Sequence, residues 1–216
     1  MTSAIFWDND GVLVDTERLY YLATRDTMAT IGFDLTREQY VEYFLVQGTG
    51  AWHLAAEGGL PPEEVARLRA DRNERYGAML EREPLLIDGV RGTLEALHGR
   101  YRMGIVTSSR RDHFDTIHAR TGLLPYFDFV LAEGDYARTK PDPAPYRAAL
   151  ERSGLAPERC VVVEDSRRGL LAAVGAGLRC LVIPSEFTRG SDFTGAWKVL
   201  DRIEDVVPAV NGAAGG

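Results

Sequence analysis

The stretch Ala4-Ile5-Phe6-Trp7-Asp8-Asn9-Asp10-Gly11 runs an apolar segment of strand length straight into two aspartates one residue apart, with a glycine behind them. A strand that is apolar at every position needs cover on both faces, which is the situation inside a parallel sheet flanked by helices. Open sheets of that kind hold their ligands beyond the carboxyl ends of the strands. Asp8 and Asp10 are therefore expected at a strand tip, facing a crevice. The reason for a polar residue at Asn9, between them, is not visible in the sequence.

From Thr16 to about Glu83 the pattern is helical and holds no convincing strand. Thr16 is placed to cap a helix that runs to about Ile31 and stops at Gly32. Further helices are expected over Thr36–Leu45, Ala51–Glu57, and from Pro61-Pro62 to about Glu81. The last is signalled by proline followed by Glu63-Glu64, both suited to a helix N-terminus. After Pro84 short apolar runs alternate with amphipathic ones. Strands are predicted at Met103–Thr107, Phe127–Ala132, Cys160–Glu164 and Leu178–Ile183, with an edge strand at Val199-Leu200. Helices fall between them, over Asp88–Gly99, Arg111–Arg120, Pro143–Ser153, Ser166–Val174 and Ile203–Val210. The predicted fold is α/β, a doubly wound parallel-sheet, Rossmann-like core of residues 1–15 and 87–216 with an all-helical cap of residues 16–86 inserted.

The formal net charge is −7, so no basic footprint for nucleic acid or an anionic membrane is present. No segment approaches transmembrane length, and Cys160 and Cys180 sit in apolar strand contexts as expected of buried thiols in a reducing compartment. The expectation is a cytoplasmic protein, monomeric or a weak dimer. The Asn211–Gly216 tail is too small and glycine-rich to pack and is expected to fray. His98, His113 and His118 show no metal spacing and read as surface residues.

Four predicted strands lead to functional residue types: Asp8 and Asp10, then Thr107 with Ser108, then Lys140 in the loop beyond the third strand, then Glu164 and Asp165. Crowded carboxylates raise one another's pKa unless a cation holds them ionised, and hard oxygen ligands with room for water suit Mg²⁺. Together with Lys140 and a hydroxyl, such a set can hold a phosphoryl group while one aspartate attacks phosphorus and another moves a proton. A calcium-loop reading of Asp8-Asn9-Asp10 fails, because its sixth and twelfth positions are Leu13 and Leu19.

FWDNDGVLVDTE, VTSS, TKPDP and VVVEDSRRG, in that order over residues 4 to 185, resemble the motifs of the haloacid dehalogenase superfamily of phosphohydrolases. The likeness is to the branch with a helical cap after the first strand, which includes β-phosphoglucomutase and phosphoglycolate phosphatase relatives. The resemblance implies an Mg²⁺-dependent phosphatase acting on a small phosphorylated metabolite, a sugar phosphate or similar, through an aspartyl-phosphate. Asp8 is then the nucleophile and Asp10 the general acid and base. Thr107, Ser108 and Lys140 hold the phosphoryl oxygens, with Lys140 also neutralising Asp8. Asp8, Asp10 (through its carbonyl), Glu164 and Asp165 surround the metal. A cis bond at Lys140-Pro141 is also implied. In the cap, Gln47 and Gly48 on a turn and Arg72 on a polar helix face are substrate candidates; the default for Arg72 is a solvated surface, and for Trp52 and His53 it is cap packing.

Relatives that cleave carbon–halogen bonds typically lack the second aspartate, and the phosphonate-cleaving branch uses a cap lysine, of which there is none between Thr16 and Pro84. A phosphomutase of the β-phosphoglucomutase type is the alternative; it calls for an arginine soon after the first cap turn, where Thr49-Gly50-Ala51-Trp52 carries no cation. A non-catalytic binding protein on the same fold predicts loss of a chemical group, yet Asp8, Asp10, Thr107, Lys140 and Asp165 are all present.

Overall fold

The computed structural model of the chain describes residues 1–212. In chain order its elements are β1 (Ala4–Trp7), α1 (Glu17–Ala29), α2 (Arg37–Tyr40) continuing as a π-helical turn over Val41–Val46, α3 (Trp52–Glu57), α4 (Pro62–Leu80), α5 (Val90–Leu97), β2 (Arg102–Val106), α6 (Arg111–Thr121), β3 (Phe129–Leu131), α7 (Ala144–Ser153), β4 (Cys160–Glu164), α8 (Arg167–Gly175), β5 (Arg179–Val182), β6 (Lys198–Val199) and α9 (Val206–Gly212). They fall into two compact units: Met1–Asp15 with the chain from Leu85 onward, and Thr16–Pro84. Leu85 and Leu86 lie with the first unit because Asp15 N–H donates to the Leu85 carbonyl at 2.8 Å and Val14 bridges Leu86.

In the first unit the strands lie in the order β3-β2-β1-β4-β5-β6, every pairing parallel. The chain winds outward from β1 to β3 and returns to the other side of β1 at β4. The β1/β4 junction is therefore the switch point of a doubly wound sheet, the place where a ligand crevice opens. Alternate residues of each strand serve opposite faces. Ile5, Trp7, Ile105, Val161 and Val163 pack with Leu94, Phe114 and Val206 on one face. Ala4, Phe6, Val106 and Val162 pack with Tyr146, Ala149, Leu170 and Ala173 on the other. β1 is buried at every position, and sealing Ile5 and Phe6 contributes about 1.5–3 kcal/mol each. That rigid centre fixes where Asp8 emerges.

Two expectations for this unit need correcting. His113 and His118 are buried, not on the surface. The buried residues of α6 are His113, Phe114, Ile117, His118 and Thr121, a three-and-four spacing that puts both imidazoles on the inward face. Asn211 and Gly212 are not frayed but close α9, and Asn211 Oδ1 accepts from Tyr101 Oη at 2.8 Å and Arg100 Nη2 at 2.9 Å. The rest of the expected fray, residues 213–216, lies outside the described residues.

The second unit is helical, with α1 packed along α4. Thr36 caps α2 through a reciprocal box with Gln39. Thr16 occupies the N-cap position of α1, but its backbone is helical (φ −105°, ψ −18°) and its side chain makes no cap bond; the extended geometry that brings a cap oxygen onto the first turn is missing. Arg72 departs from its expected solvated face. It is 6% exposed, with its guanidinium 4.1 Å over the Tyr20 ring and 5.4 Å from that of Trp52. Stacking on aromatic faces offsets much of the loss of water. Among the described residues no helix is long and apolar enough to cross a membrane.

Candidate active site

Asp8 is the first residue beyond β1, and its N–H donates to the Val163 carbonyl at 2.9 Å. The turn that follows is gathered on Asn9, whose carbonyl accepts the amides of Leu13 (2.8 Å), Val14 (3.1 Å) and Val12 (3.3 Å). Gly11 has φ +82°, a region that only glycine enters cheaply, and a Cβ there would run into the Asp165 carboxylate. Glycine thus lets the β1 loop lie directly against the residue that follows β4.

Lys140 is the hub of the cluster. Its ammonium, almost wholly buried, donates to Asp8 Oδ1 at 2.7 Å, Glu164 Oε1 at 2.7 Å and the Val106 carbonyl at 2.8 Å. Those bonds engage its three donors. The Lys140-Pro141 bond is cis, as the resemblance implies, and Arg168 donates to the Lys140 carbonyl. Glu164, fully buried, also accepts Tyr146 Oη on Oε1 at 2.6 Å and Ser166 Oγ on Oε2 at 3.2 Å. At Gly169 a Cβ would land on that carboxylate, so α8 approaches this closely only because the residue has no side chain.

Charge is unbalanced here. Burial alone would depress the Lys140 ammonium, but Asp8 and Glu164 outweigh it and hold its pKa above the ordinary value. The Asp8 carboxyl is pushed up to about 8, by desolvation first and Glu164 second, against the pull of Lys140. Asp8, Glu164 and Asp165 each bring a carboxylate oxygen within 4.8 Å of the others, all buried. One ammonium does not neutralise that group. The all-oxygen set fits a hard divalent cation, whose charge would return Asp8 to its ionised form. Asp10 is not in this group of carboxylates.

The Asp10 carboxylate is held from the β2 side. Its Oδ2 accepts Ser109 Oγ at 2.6 Å, Thr107 Oγ1 at 3.1 Å and Asn9 Nδ2 at 3.3 Å. Thr107 is itself oriented, since its hydroxyl accepts the Ser109 amide at 3.0 Å. Ser108 is exposed, and the second hydroxyl on Asp10 is that of Ser109. Behind Asn9, its Oδ1 is paired with His118 Nε2 at 2.8 Å, and His118 Nδ1 with Thr121 Oγ1 at 2.9 Å. Burial pulls the His118 imidazole down to about 4.

The structure thus brings Asp8, Asp10, Thr107, Lys140, Glu164 and Asp165 together, and it adds Ser109, Tyr146, Asn9 and His118. Ser109 lay inside the VTSS string but behind a more obvious neighbour. The buried spacing of α6 would have exposed His118; no local pattern marks Tyr146. The cap candidates are not gathered within their own unit. Gln47 and Gly48 are exposed on a turn, with Gln47 Nε2 bonded to Glu42 Oε1 at 2.8 Å. Gln47 lines an open cleft of about 700 Å³ with Thr49, Trp52, His53 and Arg69, to which Arg72 does not contribute. Arg72 Nη1 has no hydrogen-bond partner.

Comparison with known proteins matches residues 5–183 to the family described as haloacid dehalogenase-like hydrolase. The protein CbbY of Cereibacter sphaeroides is 34% identical over 95% of this chain and 94% of its own length. The fructose-1-phosphate phosphatase YqaB of Escherichia coli is 30% identical over 82% of this chain and 93% of its own. A variant of CbbY from Rhodobacter sphaeroides, crystallised with xylulose-(1,5)bisphosphate, superposes with a TM-score of 0.81 at 31% identity, covering 95% of this chain and 96% of that one.

Proposed function

The chain belongs to the haloacid dehalogenase-like hydrolase family and is a phosphatase, and from that premise we propose that it hydrolyses a small phosphorylated sugar through an aspartyl-phosphate on Asp8, with Mg²⁺ bound. The observation that carries the reading is the Lys140 ammonium bridging Asp8 and Glu164 at 2.7 Å each, beside Asp165. A structural ion pair would not need the surplus of buried carboxylate.

Asp8 attacks phosphorus with its carboxylate while the bond to the leaving oxygen breaks, and Asp10 gives that oxygen its proton. Lys140 lowers the charge on Asp8 during the approach and on the phosphoryl oxygens as they gain charge. Thr107 and the backbone amide of Ser108 line the phosphoryl side. Asp10, now a carboxylate, then takes a proton from water, which attacks the aspartyl-phosphate and frees inorganic phosphate and Asp8. Asp8, Asp165 and the Asp10 carbonyl would hold Mg²⁺, which would supply Lewis-acid stabilisation of the phosphoryl oxygens and keep Asp8 ionised. Glu164, with both oxygens already engaged by Lys140, Tyr146 and Ser166, serves behind that set by holding Lys140 in place.

The sugar phosphate class is supported by the name of the Escherichia coli relative and the ligand of the CbbY variant. The test is phosphate release from a panel of phosphorylated sugars with and without Mg²⁺, using Asp8→Asn as control. Metal-dependent release that Asp8→Asn abolishes is the expected result. Isomer formation from a hexose 1-phosphate and a trace of bisphosphate, without phosphate release, would overturn it in favour of a mutase.

A further inference from the structure

Asn9 stands between the proposed nucleophile and acid, is fully buried, and uses every polar group of its side chain. Its orientation is set by its neighbours. The NH₂ of the amide is the group turned to Asp10 Oδ2, which accepts, and Oδ1 is left facing His118. His118 must then present Nε2–H, and Nδ1 is left to accept the Thr121 hydroxyl proton at 2.9 Å. The Leu123 amide donates in turn to Thr121 Oγ1 at 3.4 Å. The result is a buried line of donors from Leu123 through Thr121, His118 and Asn9, all directed at one oxygen of Asp10. The last link is long, at 3.3 Å, and its direction is maintained by the 2.8 Å bond behind it.

We propose that Asn9, held by His118, is a positioning residue for Asp10: it fills Oδ2 together with Thr107 and Ser109, and so assigns the transferable proton to Oδ1. A proton on Oδ2 would have to displace one of three donors. Without Asn9 and His118 the carboxyl can turn, and the proton is delivered from the wrong place for part of the time. This rests on Asp10 being the acid, and the experiment separates the two ideas.

The reading is the dependence of kcat/KM on leaving group, measured with Mg²⁺ for aryl phosphates from 4-nitrophenyl to phenyl. 4-Nitrophenolate leaves without a proton and phenolate needs one. For wild type the dependence should be shallow. His118→Leu and Asn9→Leu should lose about 10–30-fold on phenyl phosphate and under about 3-fold on 4-nitrophenyl phosphate, in keeping with the size of general acid effects. His118→Gln keeps an N–H for Asn9 and should recover most of the loss, which a purely packing role would not predict. In an Asp10→Asn background His118→Leu should add no further leaving-group dependence. Equal losses on both substrates, equal losses for His118→Gln and His118→Leu, or full additivity with Asp10→Asn would each overturn the proposal. A flat dependence in Asp10→Asn itself would instead remove Asp10 as the acid. Should Asn9→Leu fail to fold, the two His118 variants and the double variant decide the matter.

Discussion

One methyl group added at Gly169 is the sharpest structural test of the cluster. The Cβ of Gly169→Ala would fall on the Glu164 carboxylate. That side chain is fully buried and held by Lys140 at 2.7 Å and Tyr146 at 2.6 Å, so it has no solvent to move into. If the site absorbs the methyl by shifting α8, overpacking costs about 1–3 kcal/mol. If the carboxylate yields instead, bonds to a charged group are lost, at about 1.5–3 kcal/mol each. Set against the helix-propensity gain of alanine, about 0.5–1 kcal/mol, either route leaves a net cost of about 1–2 kcal/mol. In urea, with a slope of about 2 kcal/mol per molar, the midpoint should fall by about 0.5–1 M. Lys140 follows Glu164, so turnover should drop by about 10²-fold, the scale of a misplaced catalytic group. Gly92→Ala is the control: it lies on the exposed face of α5 with nothing within 4 Å of its Cβ and should stabilise by about 0.5–1 kcal/mol. A Gly169→Ala protein with a wild-type midpoint and normal kcat would refute the placement of Glu164 against α8.

Other outcomes follow from the same geometry. Asp8→Asn should abolish both turnover and capture of beryllium fluoride, an acyl-phosphate mimic, as followed by fluorine NMR; retained turnover would rule out the covalent route. Asp165→Asn should raise the magnesium concentration needed for half-maximal activity by about tenfold or more while the protein stays folded, since a ligand is lost and no core contact. Tyr146→Phe should cost about 1.5–3 kcal/mol in a denaturant melt, because a buried charged acceptor loses a donor. For His118, burial holds the folded pKa at about 4 against 6.5 when unfolded. Its contribution is constant above pH 6.5, and between 6.5 and about 4 the unfolded chain binds a proton that the native state refuses. Stability should therefore fall on acidification by about 1.4 kcal/mol per pH unit in that window, and His118→Gln should flatten this part of the profile.

The sheet was legible because its strands are apolar at consecutive positions, a signal that survives without partners. The catalytic cluster was legible for a related reason: a charged residue that ends such a run must sit at a strand tip, as Asp8 and Glu164 do. What escaped notice depends on contacts distant in sequence. His118 meets Asn9 across more than a hundred positions, and Tyr146 reaches Glu164 from a helix whose sequence carries no mark of it. Arg72 looked solvated because charge on a helix usually is; only the positions of the Tyr20 and Trp52 rings show otherwise. Ser108 and Ser109 were indistinguishable until the backbone turned one outward.

The place of β1 in the sheet also has a kinetic side. It is made first, yet the strands on either side of it begin only at Arg102 and Cys160. During synthesis the residues of Thr16–Pro84, whose helices pack on one another, can fold while Ala4–Trp7 has no partner. At ordinary elongation rates that wait is on the order of ten seconds. Throughout it an uncovered apolar strand, the same one that carries Asp8, is available for pairing with another nascent chain.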